Sequence, residues 1–391
     1  MDFLFDPVGF IRTALSNFLT GLGLPGPATA FVLLALGAAI PATCGLMLPL
    51  FTIWLERRLI GRMQDRIGPN RVGPLGILQS LADVVKLLFK EDITPAGTDR
   101  IVYTLAPLFA VMSVLSLWAV LPFANKIYGV DLNVGVLYVV AMGSIGTLAI
   151  MLAGWASNNK YALLSAFRAA AQLISYEVPM ILSMLVPVVL ARSMGMNAIV
   201  QAQPVWFVFM APVAALNFFV ASAAELGRAP FDLLEAESEI VAGFNLEYSA
   251  MKFGMFFVAE FTHAFTIGAL TAAFFLGGWR GPWADQFPLL GLVYFLAKSF
   301  AVYFVLVLMR AALPRLRIDQ MLNFNWKFLT PVALASLTVV MVVDKLVPAG
   351  VSLWVRAPVL LGANVLVGLA TLGILVLADR YHWTLVQPEE R

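Results

Sequence analysis

The chain has 391 residues, 61% hydrophobic and 12% charged, with a formal net charge of +2, and a mean hydropathy of +0.88. Soluble domains carry about 25% charged residues, so too little polar surface exists to coat a water-soluble particle of this size, and the composition predicts an integral membrane protein. A single cysteine, Cys44, excludes an intrachain disulfide and the set of about four thiolates that an iron–sulfur cluster needs, while two distant histidines, His263 and His382, argue against a bis-His haem or a three-His zinc site.

At the N-terminus, Asp2 and Asp6 stand where a signal peptide would be basic, and Arg12 interrupts the apolar stretch. The first segment, 1–27, therefore reads as an interfacial helix, with Phe3, Phe5, Val8, Ile11, Leu15 and Leu19 on its apolar side. Beyond it, nearly charge-free runs of about 20 residues, the length that crosses a bilayer core, place nine spans. They lie near 29–56, 101–122, 134–155, 172–191, 204–225, 251–276, 288–311, 328–347 and 357–378. The fold class expected is all-α: a polytopic membrane helical bundle of about nine transmembrane helices plus in-plane amphipathic helices, forming a single membrane domain over 1–391. Eighteen of the 25 basic residues fall in the loops on one side and six on the other, which the positive-inside rule reads as N-terminus outside and C-terminus cytoplasmic.

The two longest connections, 57–100 and 226–250, are then both cytoplasmic. In the first, Gly68-Pro69-Asn70 and Gly73-Pro74 turn the chain, and Ile77–Lys90 becomes helical, with Gln79, Asp83, Lys86 and Lys90 in one arc and apolar residues around the rest. Such a helix lies in plane with its polar face towards headgroups, or forms one wall of an opening for an amphiphile; spacing alone does not choose. The second connection carries Glu225, Asp232, Glu235, Glu237, Glu239 and Glu247 against only Arg228 and Lys252. Asp232 and Glu235 have capping-box spacing for a short helix ending before Gly243. Crowded carboxylates raise one another's proton affinity, and the apolar residues interleaved with them are more than a freely solvated loop needs.

Glu177 and Glu260 fall inside spans, with Glu56 and Glu225 at span ends. An ionisable group at mid-bilayer costs roughly 2.5–3.5 kcal/mol on the insertion scale and usually marks an ion or proton path. The alternative for each is a structural hydrogen bond to a neighbouring helix. Glu260 and His263 share a face and could form a relay, or His263 could be a packed interior residue. Lys298 could snorkel or pair with a carboxylate. Pro179, Pro187 and Pro212, placed within spans, free backbone carbonyls that fit a wet path and also occur in inert bundles.

Four stretches carry a specific resemblance: ERRLIGRMQDRIGPNRVGPLGILQSLADVVKLLFKED (Glu56–Asp92), GWASNNKYALLSAFRAAAQLISYE (Gly154–Glu177), AELGRAPFDLLEAESEIVAGFNLEYS (Ala224–Ser249) and MRAALPRLRIDQ (Met309–Gln320). In this order the chain resembles the H-subunit family of NADH–quinone oxidoreductase, respiratory complex I. The resemblance implies the membrane part of a quinone chamber, entered from the bilayer between the first and sixth spans and the amphipathic helix, with Arg57, Asp83, Lys86 and Arg228 on its wall. It implies a proton-coupling path through Glu177, Glu225, Glu235, Glu237, Glu239, Glu247 and Glu260, to which Glu56 and Asp232 are added. Quinone would be a substrate shared with peripheral subunits, which would hold the flavin and iron–sulfur clusters. Partners would be those peripheral-arm subunits and the small and antiporter-like membrane subunits, in a bacterial plasma (inner) membrane, and this chain alone would catalyse nothing. One departure stands out: some relatives carry a buried glutamate in the third span where Ser144 aligns, so a water or a neighbouring subunit's acid would be needed there. The ninth span exceeds an eight-helix core and would pack at its periphery. The alternatives are a proton-coupled secondary transporter, which predicts inverted repeats that the sequence does not display, a passive membrane anchor, or the related subunit of a membrane-bound hydrogenase or ferredoxin-linked complex.

Overall fold

The structure, a computed structural model, describes residues 5–234, 242–348 and 352–386, the side chains of 375–386 excepted. Among the described residues it is built from fourteen α-helices and contains no β-strand. Eight helices among the described residues are long and apolar enough to cross a membrane, and the all-helical polytopic expectation is borne out.

The N-terminal helix α1 (Pro7–Gly21) starts where the Asp6 carboxylate accepts the Gly9 amide at 2.9 Å and Pro7 occupies the first turn, relieving one of the helix's orphan donors. Helix α2 (Gly26–Met63) runs about two turns past the expected end at 56. Charge marks where a helix leaves the hydrocarbon, not where its hydrogen-bond ladder stops, and no proline stands between Pro49 and Pro69. The chain then doubles back so tightly that a side chain on Gly61 would meet the Gly68 backbone nitrogen at 3.0 Å. The amphipathic helix appears as α3 (Gln79–Phe89) and packs against α2 and the later helix α10 (Ala250–Phe275).

Helices α4 (Arg100–Leu117) and α5 (Gly135–Ala156) match the second and third spans. The fourth, α6 (Lys160–Ala191), starts well before the expected 172, because the Asn159 side chain caps it at Tyr161 and Pro179 and Pro187 are absorbed within its 32 residues. At 1.5 Å per residue it is longer than a bilayer core is thick. After a short α7 (Met196–Gln201), the fifth expected span, 204–225, differs from expectation. It is split into α8 (Phe207–Met210) and α9 (Pro212–Glu225). Pro212 offers no N–H and disfavours helical geometry in the residue before it; Ala211 accordingly sits at φ −139°, ψ 65°. Pro212 therefore begins a helix rather than interrupting one.

Helix α10, α11 (Pro288–Ala312), α12 (Ile318–Phe324), a π-helical turn at Asn325–Leu329, α13 (Thr330–Leu346) and α14 (Leu353–Val386) complete the chain. Within the apolar windows of these helices, α10 is 67% buried, whereas α2 is 6% and α14 11% buried. Thus α10 is the central post, while α2 and α14 lie at the outside of the bundle. Tyr176, Phe218, Phe265, Phe274, Phe275 and Phe295 form the middle of the packed interior.

Candidate functional site

Helix α9 ends at Glu225, and Gly227, at φ +66°, turns the chain sharply, a backbone conformation that favours glycine. Gln172 of α6 pins both sides of the turn, its amide donating to the carbonyls of Ala224 at 2.7 Å and Phe231 at 2.8 Å. The turn delivers Arg228 back into the bundle, where it is 5% exposed. Its Nη1 donates to Glu56 Oε2 at 2.7 Å and its Nε to Glu260 Oε1 at 2.9 Å, with the guanidinium 4.5 Å from the Phe261 ring centroid. Glu56 also accepts from Tyr303 at 3.0 Å and pairs with Arg310. Burial alone would lower the Arg228 pKa, but the Glu56 and Glu260 carboxylates outweigh it and hold the pKa above the ordinary guanidinium value. Its Nη2 is buried and finds no partner among the described residues.

This network forms part of the wall of a cavity of about 490 Å³ between α4, α5, α9 and α10. Glu225, Asp232, Glu260, His263 and Arg310 line it together with Phe244, Phe256 and Phe257. On α5 the wall is made of Gly143, Gly146, Thr147 and Ile150, and Gly143 leaves room for the carboxyl group: a side chain there would begin 3.8 Å from Glu225 Oε1. A second void, of about 20 Å³, adjoins Leu117, Gly143, Glu225 and His263, residues that also line the large cavity, and is lined as well by Glu177 and Ser222. Glu177 Oε1 accepts from Ser144 Oγ at 2.6 Å. The Ser144 hydroxyl thus meets an acid of this chain's own neighbouring helix.

The remaining candidates fall elsewhere. Arg57 and Asp83 form an ion pair at 2.6 Å between α2 and α3, with Gln79 donating to the other Asp83 oxygen at 3.2 Å; Lys86 lies on α3, three residues beyond Asp83. The expected chamber residues therefore form two groups, around Arg57 and around Arg228. They are joined through the adjacent positions Glu56 and Arg57, whose side chains are 3% and 51% exposed. Glu247 stands apart, accepting from Asn159 at 2.6 Å. Glu260 bonds to Arg228, while His263 faces the cavities. Lys298 pairs with no carboxylate among the described residues; it donates to the carbonyls of Gly278 and Arg280 at 2.9 and 2.8 Å, over the Trp206 ring. Glu235, Glu237 and Glu239, with the short helix expected after Asp232, lie outside the described residues. Tyr303 and Ser222 carry no signal in the sequence, and Arg310, inside the Met309–Gln320 motif, carries none that points to Glu56, because each is a single polar position in or beside an apolar run and only the folded bundle gives it a partner or a cavity.

A family model described as NADH dehydrogenase matches residues 36–341. The H subunit of NADH-quinone oxidoreductase from Dehalococcoides mccartyi is 46% identical over 333 residues, covering 85% of this chain and 91% of that protein. The first of the numbered H subunits from Geobacter metallireducens is 47% identical over 304 residues, covering 75% and 91%, and the H subunit from Geobacillus kaustophilus is 47% identical over 321 residues, covering 82% and 96%.

Proposed function

Because this chain belongs to the NADH dehydrogenase family, whose relatives above are named as the H subunit of NADH-quinone oxidoreductase, we propose that it forms the membrane part of a quinone chamber and couples quinone reduction to proton movement. The observation that carries this reading is the continuity between the two. The chamber wall at Arg57–Asp83 on α2 and α3 adjoins the Glu56–Arg228–Glu260 network. That network borders the cavity leading to Glu225 and, across the small void, to Glu177.

In this reading Arg57, Asp83, Lys86 and Arg228 guide the quinone, and the carboxylates Glu56, Glu177, Glu225, Asp232, Glu235, Glu237, Glu239, Glu247 and Glu260 take up and pass on protons. Negative charge appearing on the reduced quinone favours protonation of the nearest carboxylates, and each like-charged neighbour then shifts in turn. Arg228 stays protonated and acts as the fixed positive centre against which the mobile protons redistribute. The flavin and iron–sulfur clusters belong to peripheral subunits, since one cysteine cannot supply about four thiolates. Those subunits dock on the cytoplasmic face, where loops 57–100 and 226–250 lie, and small and antiporter-like subunits pack against the membrane flank. The basic bias of the loops supports a chain with its N-terminus outside and C-terminus inside a bacterial inner membrane, with 1–391 acting as one membrane domain.

Purification of the tagged chain in mild detergent from its native membrane tests the reading. Flavin- and iron–sulfur-carrying partners should come with it, along with quinone-inhibitor-sensitive NADH–quinone reduction that Glu235→Gln impairs. A stable, cofactor-free, solitary protein would contradict it.

A further inference from the structure

The small void between Glu225 and Glu177 has an unusual wall. Spanning hydroxyls in this protein generally return to their own helix: Ser113 donates to Ala110, Ser175 to Ala171, Thr266 to Thr262 and Ser299 to Phe295, at 2.6–2.8 Å. Ser222 does not. It is 0% exposed, its Oγ has no hydrogen-bond partner among the described residues, and it lines the void one turn before Glu225 on the same face of α9. A buried hydroxyl without a partner costs about 1–3 kcal/mol. A void of about 20 Å³ exceeds the roughly 10–15 Å³ that admits one water, which needs two to four polar partners. Glu225, Glu177, His263 and Ser222 supply that number.

We propose that Ser222 holds a single water that links Glu225 to Glu177, making Ser222 a positioning residue of the proton path and this void its relay site. The site rests on the coupling role argued above. The transfer balances as a concerted hop. The protonated Glu225 carboxyl gives its proton to the water oxygen as the water gives one of its own to the Glu177 carboxylate. Glu225 is left ionised, Glu177 protonated and the water intact. Ser144 donates to Glu177 Oε1, which leaves Oε2 free to accept the transferred proton. Ser222 keeps the water oxygen oriented and gains no net proton.

The test uses the assembled oxidoreductase. Ser222→Ala should lower proton-coupled NADH–quinone turnover about tenfold, the fold-change of losing one hydrogen bond, and should change its solvent deuterium isotope effect. Ser222→Thr, which keeps the hydroxyl, should restore both. Wild-type behaviour of Ser222→Ala alongside an inactive Glu225→Gln overturns the relay and leaves the carboxylate route standing. Wild-type behaviour of both overturns the coupling reading and the relay with it. If Ser222→Ala does not assemble, high-resolution electron density of the wild-type complex decides. A solvent peak within hydrogen-bond distance of Ser222 Oγ and both carboxyl groups supports the relay, and its absence overturns it.

Discussion

At the scale of single residues, the organising feature is one buried cation shared by two carboxylates. Removing one member of a buried, hydrogen-bonded charge group strands the others and costs about 3–5 kcal/mol. Arg228→Met is therefore expected to lower the thermal midpoint of the purified subunit complex markedly. Arg228→Lys is expected to recover only part of the loss, because a compact ammonium cannot present Nη1 and Nε in the fork that meets Glu56 and Glu260. A midpoint unchanged in Arg228→Met would show that the network contributes little. These partnerships are only half legible in the sequence. Carboxylates in or at the ends of apolar runs stand out because charge is rare there, which marks Glu56, Glu177, Glu225 and Glu260. Their partners do not, since Glu56 meets Arg228 across 172 positions and Arg310 across 254. No local periodicity carries pairing over that distance.

At the scale of elements, the spans are legible because lipid demands long apolar helices with every backbone group satisfied internally. The exceptions have local causes. Pro212 splits the fifth span, and α9 begins with amides that have no intrahelical acceptor. Here α14 supplies one. Asn364, 0% exposed, accepts the Val213 amide at 2.8 Å and donates to Ser336 of α13 at 2.9 Å. The ninth span thus fixes the start of the helix that ends in Glu225, in addition to packing at the periphery. Asn364→Ala should cost about 1–3 kcal/mol through the orphaned groups and speed hydrogen exchange of the amides around Val213; unchanged exchange there would show that α14 does not cap α9. Small residues on α5 act in the opposite sense, keeping space open. Gly143→Leu places a bulky chain beside Glu225 at the junction of the two cavities. It should block proton coupling while leaving the Glu56–Arg228–Glu260 network in place, which parallel turnover and thermal-midpoint measurements would check.

At the scale of the whole molecule, the charged groups lie where helix ends and central posts meet. The last third of α2, the C-terminal ends of α9 and α11 and the first half of α10 converge on the Glu56–Arg228 pair, while the apolar flanks of α2 and α14 face outward. The sequence carries this division in its hydropathy, and the resemblance of four long motifs carries the family. What it cannot carry is the volume between helices. Cavities arise from residues that are small or turned away, and Gly143, Gly146 and Ser222 look unremarkable until α5 and α9 are placed side by side. The central claim is that this internal space links quinone chemistry to proton transfer through Glu225. Its most direct test is the rate of proton translocation and the rate of NADH–quinone turnover of the purified oxidoreductase in sealed proteoliposomes, wild type against Glu225→Gln. Both rates are expected to fall together in the variant while flavin and iron–sulfur content stay normal. Wild-type rates of both in Glu225→Gln would contradict it.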